Sequence, residues 1–330
     1  MIQTLTIATL LISSTTAPSE DSAQSELFAL IGEARALAQQ SGETIWPGFS
    51  EAPDTILLIS GEEEILLCHE GPAAGFTELA SDPVTGCSQS VRTRVFPPNL
   101  LASFPAIDGV PSIVVGTPEA TSRTPDAWMV TLVHEHMHQM QDAVPGQYQD
   151  LLALGLDGGD QSGMWMLNYP FPYADHQTAA EARSLADRAL DALEESDPLL
   201  FHTKVRAYLT QRTLFLDSVS PGDRRYYELQ VWKEGVARWT ELAVTRASGM
   251  TNPHHANLAG QQIVRMRDEL AALDLHQAGR VAFYALGSAE AEMLERLDTG
   301  WRRTYWLSPF DLGAVFDAII PDAPPAASSD

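Results

Sequence analysis

The run His134-Glu135-His136-Met137-His138 constrains this chain more tightly than any other feature of it. Histidines four apart share a face only on a helix, where one stands a turn above the other. Two imidazoles so placed, with a glutamate directly after the first, form a pattern able to bind zinc. The ring nitrogens reach the ion at about 2.0–2.1 Å, and the carboxylate serves as general base to a water beside it. The flanking residues favour the helix that the pattern needs. Thr124-Pro125-Asp126 supplies an N-cap, a proline at the first helical position and an acidic first turn. Trp128, Met129, Leu132, Val133, Met137 and Met140 then recur mostly at three- and four-residue intervals. His136 lies about 200° around such a helix from His134, so it is expected to face away from the ion.

Composition narrows the partners. With 330 residues, 45% of them hydrophobic, the chain is long enough for one large domain or two. Its 44 Asp and Glu against 20 Lys and Arg give a formal charge of −24, which argues against nucleic acid and anionic membranes as partners. The apolar stretch Leu5–Ile12, followed by small polar residues, reads with the rest of residues 1–25 as a weak secretory signal and a flexible segment. Export to the periplasm or medium is therefore expected. Cytoplasmic residence is the alternative, because no Lys or Arg precedes the apolar run. No segment approaches 18 uninterrupted apolar residues, so no membrane span is expected in the mature chain. Cys68 and Cys87 flank a hairpin pattern and are expected to pair if the chain is exported, or to stay reduced and buried if it is not. Neither has metal-site spacing, and no residue pattern selects an oligomeric state.

The periodicities predict an α+β fold. Glu26–Gln40 has a helical pattern, and strand patterns follow at Thr55–Ser60, Ile65–Cys68, Val91–Phe96 and Ser112–Val115. Residues 145–176 read as a loop whose aromatic run, Trp165 to Tyr173, either lines a cleft or pins the loop to the core. Helical patterns then cover 178–195, 199–217, 223–248, 254–273 and 277–296, with prolines at the breaks. The expected organisation is a mixed-sheet part with the histidine helix over 26–144, a helical part over 145–320 with a cleft between them, and a disordered tail over 321–330.

Two histidines do not complete a zinc site. A metzincin needs a glycine three residues and a histidine six residues past the second histidine, but Gln141 and Val144 stand there. Further on, Glu234-Gly235-x-Ala237 with Glu241 seven residues after Glu234 is similar to the second helix of the gluzincin metallopeptidases. Seven residues are two helical turns, so both carboxylates share a face. Tyr284-x-x-Gly287 with Leu294 resembles another helix of the monozinc aminopeptidases in that group. The resemblance implies one zinc per chain held by His134, His138 and Glu234, and Glu135 as general base. It also implies that Glu241 supports a ligand histidine and that Tyr284 stabilises the oxyanion. The strand at 112–116 fits the edge strand that binds extended substrates in that group. Two departures stand out: 96 residues separate His138 from Glu234, and no Gly-x-Met-Glu-Asn element precedes the histidine motif. The second points away from aminopeptidase specificity and toward an endopeptidase or a narrower peptidase acting on peptides or proteins. An activated water attacks any well-placed acyl carbon, so hydrolysis of a non-peptide amide or ester is a second reading, and an exported, non-catalytic zinc-binding protein a third.

Overall fold

The run Ile56-Leu57-Leu58-Ile59 has no polar face, and it lies where such a run must, inside a sheet covered on both sides. The computed structural model describes residues 20–160 and 163–320. Its strands are β1 (Ile56–Ser60), β2 (Glu63–Leu67), β3 (Thr77–Leu79), β4 (Gln89–Thr93), β5 (Leu101–Ile107) and β6 (Val110–Gly116). They form one mixed sheet in the order β3-β4-β2-β1-β6-β5, in which only β1 and β6 pair parallel. Alternate side chains divide between two layers. Ile56, Leu58, Ile65, Leu67, Ile113 and Val115 pack against helices, whereas Leu57, Ile59, Leu66 and Val114 face the opposite layer with Phe96 and Phe104. A disulfide between Cys68 and Cys87 ties the end of β2 to the start of β4.

Helices precede and follow the sheet. α1 (Glu20–Leu37) runs through a π-turn at Ala38–Gly42 into α2 (Glu43–Ile45), and α3 (Pro125–Asp142) follows β6. The remainder is helical. α4 (Gln147–Ala153), α5 (Trp165–Asn168), α6 (His176–Leu193), α7 (Pro198–Asp217) and α8 (Pro221–Gln230) come first. After them come α9 (Val236–Ser248), α10 (Pro253–Ala271), α11 (Leu275–Ala278), α12 (Ala282–Leu297), α13 (Trp301–Leu307) and α14 (Leu312–Ile319). This is the α+β arrangement that the periodicities predict. Trp46, Phe49 and Met137 join the core of the helical region, so the two parts share packing. Among the described residues no helix is long and apolar enough to cross a membrane.

Three expectations need correction. The strand before α3 is not an edge: β6 lies between β1 and β5, and the edge is β5. β5 is disguised by Pro105, which an edge strand tolerates, and by a register shift between Phe104 and Ile107. Its hairpin turn, Asp108-Gly109 with φ of 50° and 76°, has the left-handed conformations of a two-residue primed turn. Next, α1 begins at Glu20, inside the segment read as flexible, because the apolar periodicity of the sequence starts only at Leu27. Finally, the 145–176 loop contains α4 and α5. Its aromatics pin it down, with Trp165 and Phe171 in the helical core and Tyr169 stacked 4.3 Å from Tyr226. The apolar run Leu5–Ile12 and the 321–330 tail lie outside the described residues.

Candidate metal centre

α3 starts where its sequence says it should. Thr124 caps it by accepting from the Ala127 N–H, Pro125 occupies the first turn, and Trp128 Nε1 donates to Gly116 O at 2.7 Å, fastening the helix to the end of β6. Of its 18 residues 13 are buried, so its polar side chains must find partners inside the protein. His136 does so on the side away from the other two histidines. Its Nδ1 lies 3.0 Å from Gln139 Oε1 and its Nε2 2.8 Å from Phe49 O, while the Gln139 amide nitrogen donates to Thr55 O and Pro111 O.

Glu234 arrives from the helical region on a π-turn, Val231–Gly235, inserted between α8 and α9. Such a turn adds a residue to the helix and re-aims its side chains, and it recurs at functional sites. Two glycines make the approach possible. A Cβ on Gly235 would lie 2.4 Å from Gly287 Cα, and one on Gly287 2.7 Å from Val231 O, so the π-turn and α12 cross backbone to backbone. This crossing sets Glu234 and Tyr284 side by side. A salt bridge from Lys233 to Asp142 ties the same turn to the end of α3.

At the junction three donor atoms converge. His134 Nε2 and His138 Nε2 are 3.1 Å apart, and Glu234 Oε2 lies 3.4 Å from the first and 3.2 Å from the second. Neighbouring ligand atoms on a tetrahedral ion with bonds of about 2.0–2.1 Å stand about 3.4 Å apart, so this triangle has the dimensions of one face of such a site. Both rings are held with Nε2 inward. Gln141 spends its amide hydrogens on Lys233 O and Tyr305 Oη, leaving Oε1 to accept from His138 Nδ1 at 2.7 Å. His134 Nδ1 faces Glu241 Oε1 at 2.9 Å, an ion-pair contact too oblique for a straight hydrogen bond. A carboxylate accepts only, so the ring proton belongs on Nδ1 here as well. Three lone pairs therefore point at one spot in a buried site, an arrangement that calls for positive charge.

Without a cation, a proton fills that role. Burial pushes the His134 pKa down, but the adjoining carboxylates of Glu234 and Glu241 outweigh it and raise the value to about 9. Burial raises Glu234 too, yet His138 and His134 hold it well below the usual carboxylate range. Glu241, against the same cost of burial, is held at about 2 by Arg238, His134 and Arg265. His134, His138 and Glu234 can thus hold a metal ion, and no other such group of His, Cys, Asp or Glu is found among the described residues.

The neighbouring groups are chemically distinct. Glu135 is buried, and its Oε2 has no hydrogen-bond partner among the described residues. Burial raises its pKa, offset in part by His138 and His134. The Tyr284 ring lies parallel to that of His134 at 6.0 Å, and its hydroxyl accepts from Arg280 at 2.7 Å. Every site residue picked out in the sequence, His134, Glu135, His138, Glu234, Glu241 and Tyr284, is gathered here. Gln141 and Arg280 were missed, although each sits at helical spacing from a site residue, Gln141 three after His138 and Arg280 four before Tyr284. His254 and His255 lie elsewhere, paired with Asp126 and Glu33.

No protein-family model matches the chain, and neither curated proteins nor solved structures yield a significant match.

Proposed function

We propose that this protein is a zinc-dependent hydrolase of peptide bonds, gluzincin-like in its use of two helix-borne histidines and a distant glutamate. The observation that carries the reading is the triangle of His134 Nε2, His138 Nε2 and Glu234 Oε2, with edges of 3.1–3.4 Å, beside the unpartnered Glu135 carboxylate oxygen. Two imidazoles and one carboxylate suit zinc better than magnesium or calcium, which favour all-oxygen sites. Three protein ligands rather than four are the mark of a catalytic zinc. Bound there, zinc would act as a Lewis acid and lower the pKa of water to about 7.

The chain's own residues would do the rest. Glu135 accepts the proton of the attacking water and returns it to the leaving amine. Tyr284 donates to the oxygen on which charge develops as the carbonyl becomes tetrahedral. Glu241 and Gln141 keep the two rings turned so that Nε2 faces inward. The edge strand β5 packs beside α3 and offers backbone groups with which an extended peptide can pair. The Cys68–Cys87 disulfide favours an oxidising compartment, consistent with an exported enzyme.

The test is to incubate zinc-loaded wild type and Glu135→Gln with a mixed peptide library and identify products by mass spectrometry. Cleavage by wild type alone is expected, with internal new termini if the enzyme is an endopeptidase. Equal cleavage by both proteins would remove Glu135 as the base. No cleavage by either would remove the peptidase reading.

A further inference from the structure

We propose that Arg280 is a positioning residue for the Tyr284 hydroxyl, a role that rests on the hydrolase reading above. Arg280 lies in the 3-10 turn Gly279–Val281 at the head of α12, one helical turn before Tyr284, so the two side chains share a face. Its Nη1 donates to Tyr284 Oη at 2.7 Å and lies 3.8 Å from Glu234 Oε1, whereas it is the other oxygen, Oε2, that faces the imidazoles.

The consequence follows from donor arithmetic. A guanidinium has five N–H groups and no acceptor, so the phenol oxygen must be the acceptor in this bond. Its single O–H is then left to point elsewhere. During the reaction it is free to turn to a substrate oxygen gaining negative charge. The cation on the same oxygen also makes the phenol a stronger donor. The ring also has the Arg238 and Arg280 guanidinium carbons 5.6 and 5.5 Å from its centroid and the His134 ring parallel to it. The Arg280 side chain keeps 27% of its surface exposed, and methionine in its place retains much of the apolar stem.

A double-mutant cycle tests the assignment. Tyr284→Phe should lower kcat by about 10²–10³, as loss of an oxyanion donor does. Arg280→Met should lower kcat by about tenfold or more with little change in KM, because a misplaced donor is felt in the transition state alone. Adding Arg280→Met to Tyr284→Phe should cost nothing further, and Arg280→Lys, which can still donate to the phenol, should recover part of the loss. Losses that multiply in the double variant would overturn the proposal. A readout independent of activity is the ¹³Cζ resonance of Tyr284 in ¹³C-tyrosine-labelled protein, identified by its disappearance in Tyr284→Phe. It should move in Arg280→Met with and without zinc, and an unmoved resonance would also overturn the proposal. If zinc-loaded wild type cleaves no peptide, the hydrolase reading fails separately, and the resonance still decides whether Arg280 holds Tyr284.

Discussion

Glu135 and Glu234 face the same two imidazoles, yet their surroundings push them in opposite directions. Burial raises Glu135, while the imidazoles hold Glu234 well below the usual range. Carboxylates separated in this way take different tasks, here proton carrier and ligand. Glu135→Gln is expected to keep its zinc and lose turnover by at least about 10²-fold, measured as metal content beside peptide cleavage. Glu241→Gln should weaken zinc binding by about 10–100-fold, because a freed imidazole must be re-ordered on binding, and competition with a chromophoric chelator would read this. The His134 pKa also predicts a pH dependence. In the metal-free protein it is raised from an ordinary 6.5 to about 9, so its contribution to stability is complete below pH 6.5 and is lost as pH rises through 9. The ion competes for the same nitrogen. Zinc affinity should therefore climb about tenfold per pH unit up to pH 9 and level off above it, whereas a flat profile would contradict the assignment.

Among the elements, the crossing of the Val231–Gly235 turn with α12 decides whether the ligands meet at all. Gly287→Ala would press a methyl to within 2.8 Å of Gly235 Cα. The expected result is a loss of about 1–3 kcal/mol in denaturant unfolding together with weakened zinc binding. Gly260 in α10 makes the contrast, since a Cβ there meets nothing within 4 Å. Gly260→Ala should stabilise the protein by up to about 1 kcal/mol and leave zinc binding alone. The glycines of the Glu234-Gly235 and Tyr284-x-x-Gly287 patterns are legible in the sequence, but their reason, a close backbone crossing between segments 50 residues apart, is not. Helices α6, α7 and α8 were legible in part because each carries its own start signal, the Asp175, Asp197 and Ser220 caps. Strands β3 and β5 were not. The first is three exposed residues, and the second carries a proline and an irregular register, so neither has the alternation that marks a strand.

Across the whole molecule, the site is held by packing that spans the chain. Trp46 and Phe49, near the N-terminus, enter the same core as α8, α9 and α12. Arg212 on α7 binds Glu228 on α8 at 2.6 Å and Glu290 on α12 at 2.8 Å, and Tyr208 and Tyr227 donate to that second carboxylate. This network was invisible in the sequence because the residues that pair in it are 16 to 82 positions apart and none lies in a motif. It braces the two helices that lead to Glu234 and carry Tyr284. Arg212→Met, which leaves two buried carboxylates without their cation, should cost about 3–5 kcal/mol in denaturant unfolding. The bound ion would add a second brace between α3 and the helical region, so chelation should lower the melting temperature, the more so the tighter the zinc is held. The most direct measurement of the central claim is anomalous diffraction at the zinc edge from crystals grown with zinc. The account predicts one peak at about 2.0–2.2 Å from His134 Nε2, His138 Nε2 and a Glu234 oxygen, with no fourth protein ligand. A peak elsewhere, no peak, or a fourth protein ligand closing the site would contradict it.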